Sequence, residues 1–265
     1  MNILVTFDAN YAKYAGVMLR SLAISNPEDE FDVYVMNSAL TDAIFKEIAD
    51  YAAAGDRLRL HDVKVNIEEL QNAPVTGRYP LEMYYRIFAA KFLPEDMDRI
   101  LYLDPDLVVL NPVKKLYEMD FKGAYFIASS HVGRFLRGFN EFRLGMEGQH
   151  PYINSGVMLI NLELLRGNQS VNEVYDFIEE HKHVLFLPDQ DIISSLYGSK
   201  ILLVDAFVYN MSEKQYRRYF NKCSWLTINW IRDNTVFLHY CGRNKPWKPN
   251  YKGELNVFYK EIVRS

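Results

Sequence analysis

The chain has 265 residues, of which 49% are hydrophobic, 14% aromatic and 24% charged, so it can fill a core and wholesale disorder is excluded. Thirty Lys and Arg against thirty-four Asp and Glu leave a formal net charge of −4. That balance excludes nucleic-acid binding through bulk positive charge, and an anionic partner must be held locally.

From the amino end, Asn2 to Phe7 is a short apolar run of β-formers stopping at Asp8, and Tyr11 to Ser25 repeats apolar residues at helical spacing. Phe31 to Met36 predicts a second strand, Thr41 to Ala54 a helix with Thr41 as N-cap, and Arg57 to Val63 a third strand. This β-α-β-α-β opening predicts a mainly parallel α/β sheet covered by helices. Leu81 to Phe92 has helical periodicity, with Pro94 as its stop signal. Arg99 to Leu110 reads as two strand-like pieces separated by Asp104-Pro105-Asp106. Ala124 to Ala128, Tyr152 to Ile160 and Ile201 to Val204 are further strand candidates, with helices over Val171 to His183 and Gln190 to Tyr197. No internal repeat or low-complexity linker interrupts the chain, so one domain over 1–265 is expected.

Two cysteines, Cys223 and Cys241, supply neither a disulfide framework nor metal-site spacing, which points to reduced thiols in a reducing compartment. The amino end lacks the basic and apolar regions of a signal peptide, and no apolar run approaches the roughly 18 residues of a membrane span. A cytoplasmic location is expected.

Ligands of an open parallel sheet gather beyond the carboxyl ends of its strands, where Asp8, Asp104 and Asp106 fall. Asp104 and Asp106 are two residues apart, so in an extended chain both carboxylates point to one side and can converge on a cation. Asp-Pro also initiates turns, and the spacing alone leaves both readings open. His239 follows the apolar run Thr235 to Leu238 and precedes Gly242 and Lys245. Two carboxylates and an imidazole suit Mn²⁺ or Mg²⁺, and the imidazole favours manganese. Gly242 would let backbone approach a phosphate, and Lys245 would supply a positive point charge. A histidine after a strand can equally be structural. Asn154-Ser155-Gly156 is either a turn or a place where Asn154 holds a sugar hydroxyl. Pro188-Asp189-Gln190-Asp191 opens a helix, with Asp189 a possible cap and Gln190 an unexpected neutral residue between two acids. The glycine-rich dinucleotide fingerprint, the P-loop, the serine-hydrolase elbow and the HExxH pattern are absent from the sequence.

These motifs, in this order, resemble the retaining glycosyltransferases of family 8, the group containing bacterial lipooligosaccharide galactosyltransferases and glycogenin. The match runs through Phe7-Asp8-Ala9-Asn10-Tyr11, Tyr84 to Arg86, Leu103 to Asp106, Asn154 to Gly156, Asp189 to Asp191 and His239 to Trp247, nearly the whole chain. The resemblance implies a GT-A fold, a Rossmann-like twisted sheet with a nucleotide-binding half over about 1–110 and a sugar and acceptor half over about 111–265. It implies a UDP-sugar donor, UDP-galactose or UDP-glucose, and a glycan, glycolipid or protein acceptor, as in lipopolysaccharide biosynthesis. It assigns donor binding to Thr6, Asp8, Asn10, Arg86, Asp104, Pro105, Asp106, His239, Gly242 and Lys245. Asp8 and Asn10 match uridine contacts, and Arg86 matches a basic residue near the donor sugar. Asp104, Asp106 and His239 match Mn²⁺ ligands, with Mg²⁺ the alternative. Gly242 and Lys245 match diphosphate contacts, while Asn154, Asp189 and Gln190 match the residues lining the transferred sugar. One departure stands out: those galactosyltransferases place an aspartate where this chain has Ala128-Ser129-Ser130-His131.

The residues admit two rival readings. A phosphotransferase with a phosphorylated first aspartate leaves His239 to Trp247 without purpose, and a silent nucleotide-sugar binder draws on the departure at Ser130. Lys214 to Lys222 mixes basic and aromatic residues and is a candidate peripheral contact with anionic headgroups at the inner membrane face, against the alternative of a solvated helix with inward aromatics. Tyr79 to Tyr85 is a candidate lid over the donor.

Overall fold

The computed structural model describes residues 1–65, 82–146 and 150–265. The strands are β1 (Asn2–Thr6), β2 (Phe31–Asn37), β3 (Leu58–Lys64), β4 (Arg99–Leu103), β5 (Leu107–Val109), β6 (Phe126–Ser129), β7 (Asn154–Asn161), β8 (Ile201–Leu203) and β9 (Phe237–His239). Among the described residues they form a seven-stranded sheet of order β3-β2-β1-β4-β7-β6-β8 and a two-stranded sheet pairing β5 with β9. β3, β2, β1 and β4 run parallel, as do β6 and β8, while β7 runs antiparallel to both of its neighbours. The expected mainly parallel sheet is therefore present, with one reversed strand in it.

Alternation along the strands feeds two cores. Ile3, Val5, Leu101 and Leu103 point to the face covered by helix Ala12–Ser25. Leu4, Ile100 and Tyr102 point to the other, where they meet Val174 and Ile178 of helix Val171–His181 and Ile192 and Ile193 of helix Pro188–Tyr197. A third cluster joins Val108 of β5 and Leu238 of β9 to Leu255 and Phe258 at the carboxyl end.

Several boundaries differ from the expected ones. Leu81 to Phe92 does not form one helix, for Glu82–Tyr85 and Ala89–Phe92 are separate helical turns. Between them Ile87 N–H and Phe88 N–H bond to the carbonyls of Tyr84 and Tyr85, three residues back, and this tight turn accompanies a buried Arg86. Thr41 holds the N-cap position with its backbone rather than its side chain. Residues 79–81 of the candidate lid lie outside the described residues. Helices over Arg134–Arg143, Leu162–Asn168, Ile228–Asn234 and Asn256–Arg264 were not anticipated. Among the described residues no helix is long and apolar enough to cross a membrane.

Candidate active site

The reversed strand explains how distant motifs meet. β1 and β4 deliver Asp8 and Asp104 at their carboxyl ends, and because β7 is antiparallel it delivers its first residues, Asn154 to Gly156, at the same end, with Val157 opposite Leu103. The Asp104 N–H bonds to the Gly156 carbonyl at 2.8 Å. Buried Pro105 makes the turn out of the large sheet, and β5 then pairs with β9 so that Leu107 faces His239. Asp106 and His239, 133 positions apart by number, become neighbours through that two-stranded sheet.

One donor atom each from Asp104, Asp106 and His239 lies within 4.8 Å of the others. His239 Nε2 is 3.0 Å from Asp106 Oδ1 and 3.5 Å from Asp104 Oδ2. The remaining oxygens are committed elsewhere. Asp104 Oδ1 accepts from Arg86 at 2.9 Å and from the Tyr102 hydroxyl at 2.6 Å, and Asp106 Oδ2 accepts from Lys245. Asp106 Oδ1 is buried without a hydrogen-bond donor.

Backbone donors fix the orientation of the amides around this group. Gly156 N–H donates to Asn154 Oδ1 at 3.2 Å, so that atom is oxygen, and Asn210 Nδ2 donates to it at 2.9 Å. Asn210 therefore turns its oxygen to His239 Nδ1, 3.0 Å away, which must carry the proton. His239 Nε2 is left to offer a lone pair. Two carboxylate oxygens and this nitrogen facing one another, with one oxygen otherwise unpartnered, form a donor set that fits a divalent cation such as Mn²⁺ or Mg²⁺.

The same row of amides continues to Gln190. Asn154 Nδ2 donates to Gln190 Oε1 at 2.9 Å and Ser155 N–H approaches it at 3.4 Å. Asp189 accepts from the Ser155 hydroxyl at 2.6 Å and pairs with Arg86 at 3.0 Å. Burial raises the Asp189 carboxyl, and the Arg86 charge opposes that rise. Arg86 is itself buried over the Tyr102 ring, 4.3 Å from its centre, and links Asp104 to Asp189. Burial penalises its charge, but those acids outweigh the penalty and keep it ionised. Burial likewise opposes ionisation of Asp106, yet the Lys245 charge holds its carboxyl below the usual carboxylate range.

The other anticipated residues occupy the rim or the support. Thr6 is buried, 3.2 Å from the Tyr102 hydroxyl and 3.5 Å from Arg86, behind the site. Asp8 and Asn10 bond to each other at 3.1 Å near the surface. Tyr11 lies within electrostatic reach of Asp8, Asp104, Asp106 and Lys245 together. Trp247 stacks on Tyr14 at 3.8 Å, which fixes the Lys245 loop against the first helix. Gly242 adopts φ +83°, a conformation that glycine enters at no steric cost. Ser130 donates to the Tyr152 carbonyl at 2.7 Å, and His131 donates Nε2–H to the Asn210 carbonyl at 2.6 Å.

Sequence reasoning missed Asn210, Tyr102 and the pair Arg143 and Tyr152. Tyr102 precedes Asp104 by two and so shares its side of the chain, a signal that was available. Asp191 accepts from Arg143 at 2.6 and 3.0 Å and from Tyr152 at 2.6 Å, which anchors the helix turn that carries Gln190. Asn210 is a buried polar residue after a four-residue helix, and no local pattern marks it.

A sheet of this order with acids at its carboxyl edge is the architecture of GT-A glycosyltransferases, and comparison bears this out. The galactosyltransferase LgtC, solved with donor and acceptor sugar analogs, superposes with a TM-score of 0.83 over 100% of this chain and 95% of that one, at 25% identity. A lipopolysaccharide 1,2-glucosyltransferase of Escherichia coli K12 is 27% identical over 255 residues, covering 93% of this chain and 72% of that protein. General stress protein A of Bacillus subtilis is 28% identical over 271 residues, covering 95% and 89%. The model of glycosyl transferase family 8 matches residues 2–250, and the chain belongs to that family. It is a retaining glycosyltransferase.

Proposed function

We propose that the chain moves a glucose or galactose from its UDP-sugar to a glycan or lipid-linked acceptor, with Mn²⁺ held by Asp104, Asp106 and His239. The observation that carries this reading is the convergence of those three donor atoms beside Lys245. The two sugars are those named for the relatives above. A bound divalent cation would supply charge stabilisation for the departing diphosphate. Lys245, kept charged by Asp106 against the cost of burial, would add a second positive charge, and Gly242 would admit a phosphate to the backbone. Asp8 and Asn10 would take the uridine, with Thr6 and Pro105 shaping the floor.

Retention fits attack from the face the nucleotide leaves. Asp189 has both of its strong partners inside the protein, Ser155 and Arg86, which supports a positioning role rather than a nucleophilic one. Gln190 would line the sugar, its amide held by Asn154 and Ser155. We read 1–265 as one working unit, since β5 pairs with β9 and β7 lies between β4 and β6. The exposed side chains of Lys214, Arg217, Arg218 and Lys222 support a contact with anionic headgroups, although Tyr216 turns inward. The test is UDP release from a panel of UDP-hexoses, followed by the anomeric configuration of the product. One preferred hexose transferred with retention supports the reading, and no release from any UDP-sugar with any lipid or glycan acceptor contradicts it.

A further inference from the structure

The helix Arg134–Arg143 is mounted inside out. Its inner side is polar: Asn140 is 8% exposed, and Arg143, its side chain 7% exposed, bonds to Asp191, to the Val184 carbonyl at 2.8 Å and to Asn140 Oδ1 at 3.0 Å. Its outer side is aromatic. Phe135 is 88% exposed and Phe142 87%, with Phe139 at 47%, and beside them Phe186 at 52% stacks 6.3 Å from Phe139. A helix of a water-exposed surface normally shows the reverse arrangement, and a contiguous exposed apolar patch marks an interaction site.

We infer that this helix is a lipid-docking surface, which inserts Phe135 and Phe142 into the boundary between headgroups and acyl chains of an anionic bilayer. Phe135 and Phe142 are seven residues apart, two turns on one side of the helix and about 10 Å along its axis. With about 200 Å² for each fully exposed ring, the four phenylalanines offer roughly 500 Å². Separate protruding rings suit a medium that closes around each of them. Charge comes from beside the helix rather than from it, because Arg143 is buried against Asp191 and Arg137 pairs with Glu141 at 3.5 Å.

The surrounding cations extend the surface. His131, three positions before the helix begins, donates to the Asn210 carbonyl at 2.6 Å, and Asn210 lies four positions before Lys214, so the exposed basic row Lys214, Arg217, Arg218 and Lys222 starts near the amino end of the helix. Arg143 holds Asp191, the residue after Gln190, so the docking helix is bolted to the turn that would line the sugar. A lipid-linked acceptor would then arrive from the plane against which the helix lies. This inference rests on the reading that the acceptor side faces a membrane, and it adds the apolar anchor.

The experiment is co-sedimentation of the full chain with vesicles of phosphatidylethanolamine and phosphatidylglycerol, against vesicles of phosphatidylcholine alone. Wild type is expected to pellet with the anionic vesicles. Phe135→Ser with Phe142→Ser should weaken that binding at least tenfold, Phe135→Trp with Phe142→Trp should restore it, and UDP release from the donor should be unchanged in both. The rings are exposed, so neither pair removes core packing. Undiminished binding by the serine pair, with loss only in Arg217→Glu with Arg218→Glu, would overturn the aromatic anchor and leave the headgroup contact standing. Absence of wild-type binding would overturn both. A vesicle-free dimer that the serine pair dissociates would assign the patch to a second copy and also overturn the inference.

Discussion

His239 Nδ1 donates to Asn210 Oδ1 across 3.0 Å, and this bond decides which nitrogen of the imidazole faces Asp104 and Asp106. Its direction is not free, because the Gly156 N–H sets Asn154, Asn154 sets Asn210, and Asn210 sets the ring. A backbone donor of β7 thus fixes the tautomer of a residue in β9.

Replacing Asn210 by Leu removes the acceptor and unlocks the ring. Metal affinity, measured by titration of Mn²⁺ into the chelated protein, is expected to fall about 10- to 100-fold, as for other partners of metal-bound histidines. Asn210→Asp keeps an acceptor and should retain most of it. Equal losses in both variants would show that Asn210 acts through packing alone.

Gly156 is a matter of space. A Cβ there would stand 2.6 Å from Asp104 Oδ2 and 2.8 Å from His239 Nδ1. Gly156→Ala is expected to destabilise the fold by about 1–3 kcal/mol and to separate two of the three donor atoms. Denaturant melts read the first effect and Mn²⁺ titration the second, and unchanged metal affinity would contradict the placement.

Arg86 carries the positive charge between two buried acids. Arg86→Met leaves Asp104 and Asp189 facing each other without it, and the expected loss of stability is about 3–5 kcal/mol. Urea unfolding measures it. A loss below about 1 kcal/mol, the size of an exposed pair, would contradict the bridging role.

The pH dependence turns on His131. Burial lowers its imidazole to about 4, helped by the Lys214 charge and opposed by the Asn210 carbonyl. As pH falls from neutrality, an unfolded chain takes up this proton first, near 6.5. The stability His131 contributes is therefore complete above about pH 6.5 and declines towards pH 4, by on the order of 3 kcal/mol. Melting temperatures of wild type and His131→Gln between pH 7 and 4 test this, with the shallower decline expected in the variant. Parallel curves would rule it out.

Gln190 contacts the amide row and not the three metal-facing atoms. Gln190→Ala is expected to lower turnover substantially with UDP affinity nearly unchanged. A large loss of UDP binding would count against a place beside the sugar.

The first three strands were legible as short runs of β-formers, with Arg57 to Val63 alternating, and the break at Asp104-Pro105-Asp106 because one apolar run stops at its first acid and another starts after its second. Strand order was not, since nothing local in Asn154 to Asn161 says that β7 inserts in reverse between β4 and β6. The split after Tyr85 escaped because apolar spacing continues through Arg86, and only the tertiary pull of Asp104 and Asp189 explains that arginine's burial. Helix Arg134–Arg143 carried a usable signal, with Phe135, Phe139 and Phe142 at helical spacing, but that spacing does not say that the stripe faces away from the core. The capping box from Ser212 to Gln215 was a usable signal for the helix Glu213–Tyr219.

The most direct test of the account is UDP release from the preferred UDP-hexose by wild type and Asp106→Ala, each with Mn²⁺ and with chelator. Release that vanishes with chelator and in the variant is the predicted result. Release that persists in Asp106→Ala at the wild-type rate, or that chelator leaves untouched, would contradict a divalent cation held by Asp104, Asp106 and His239.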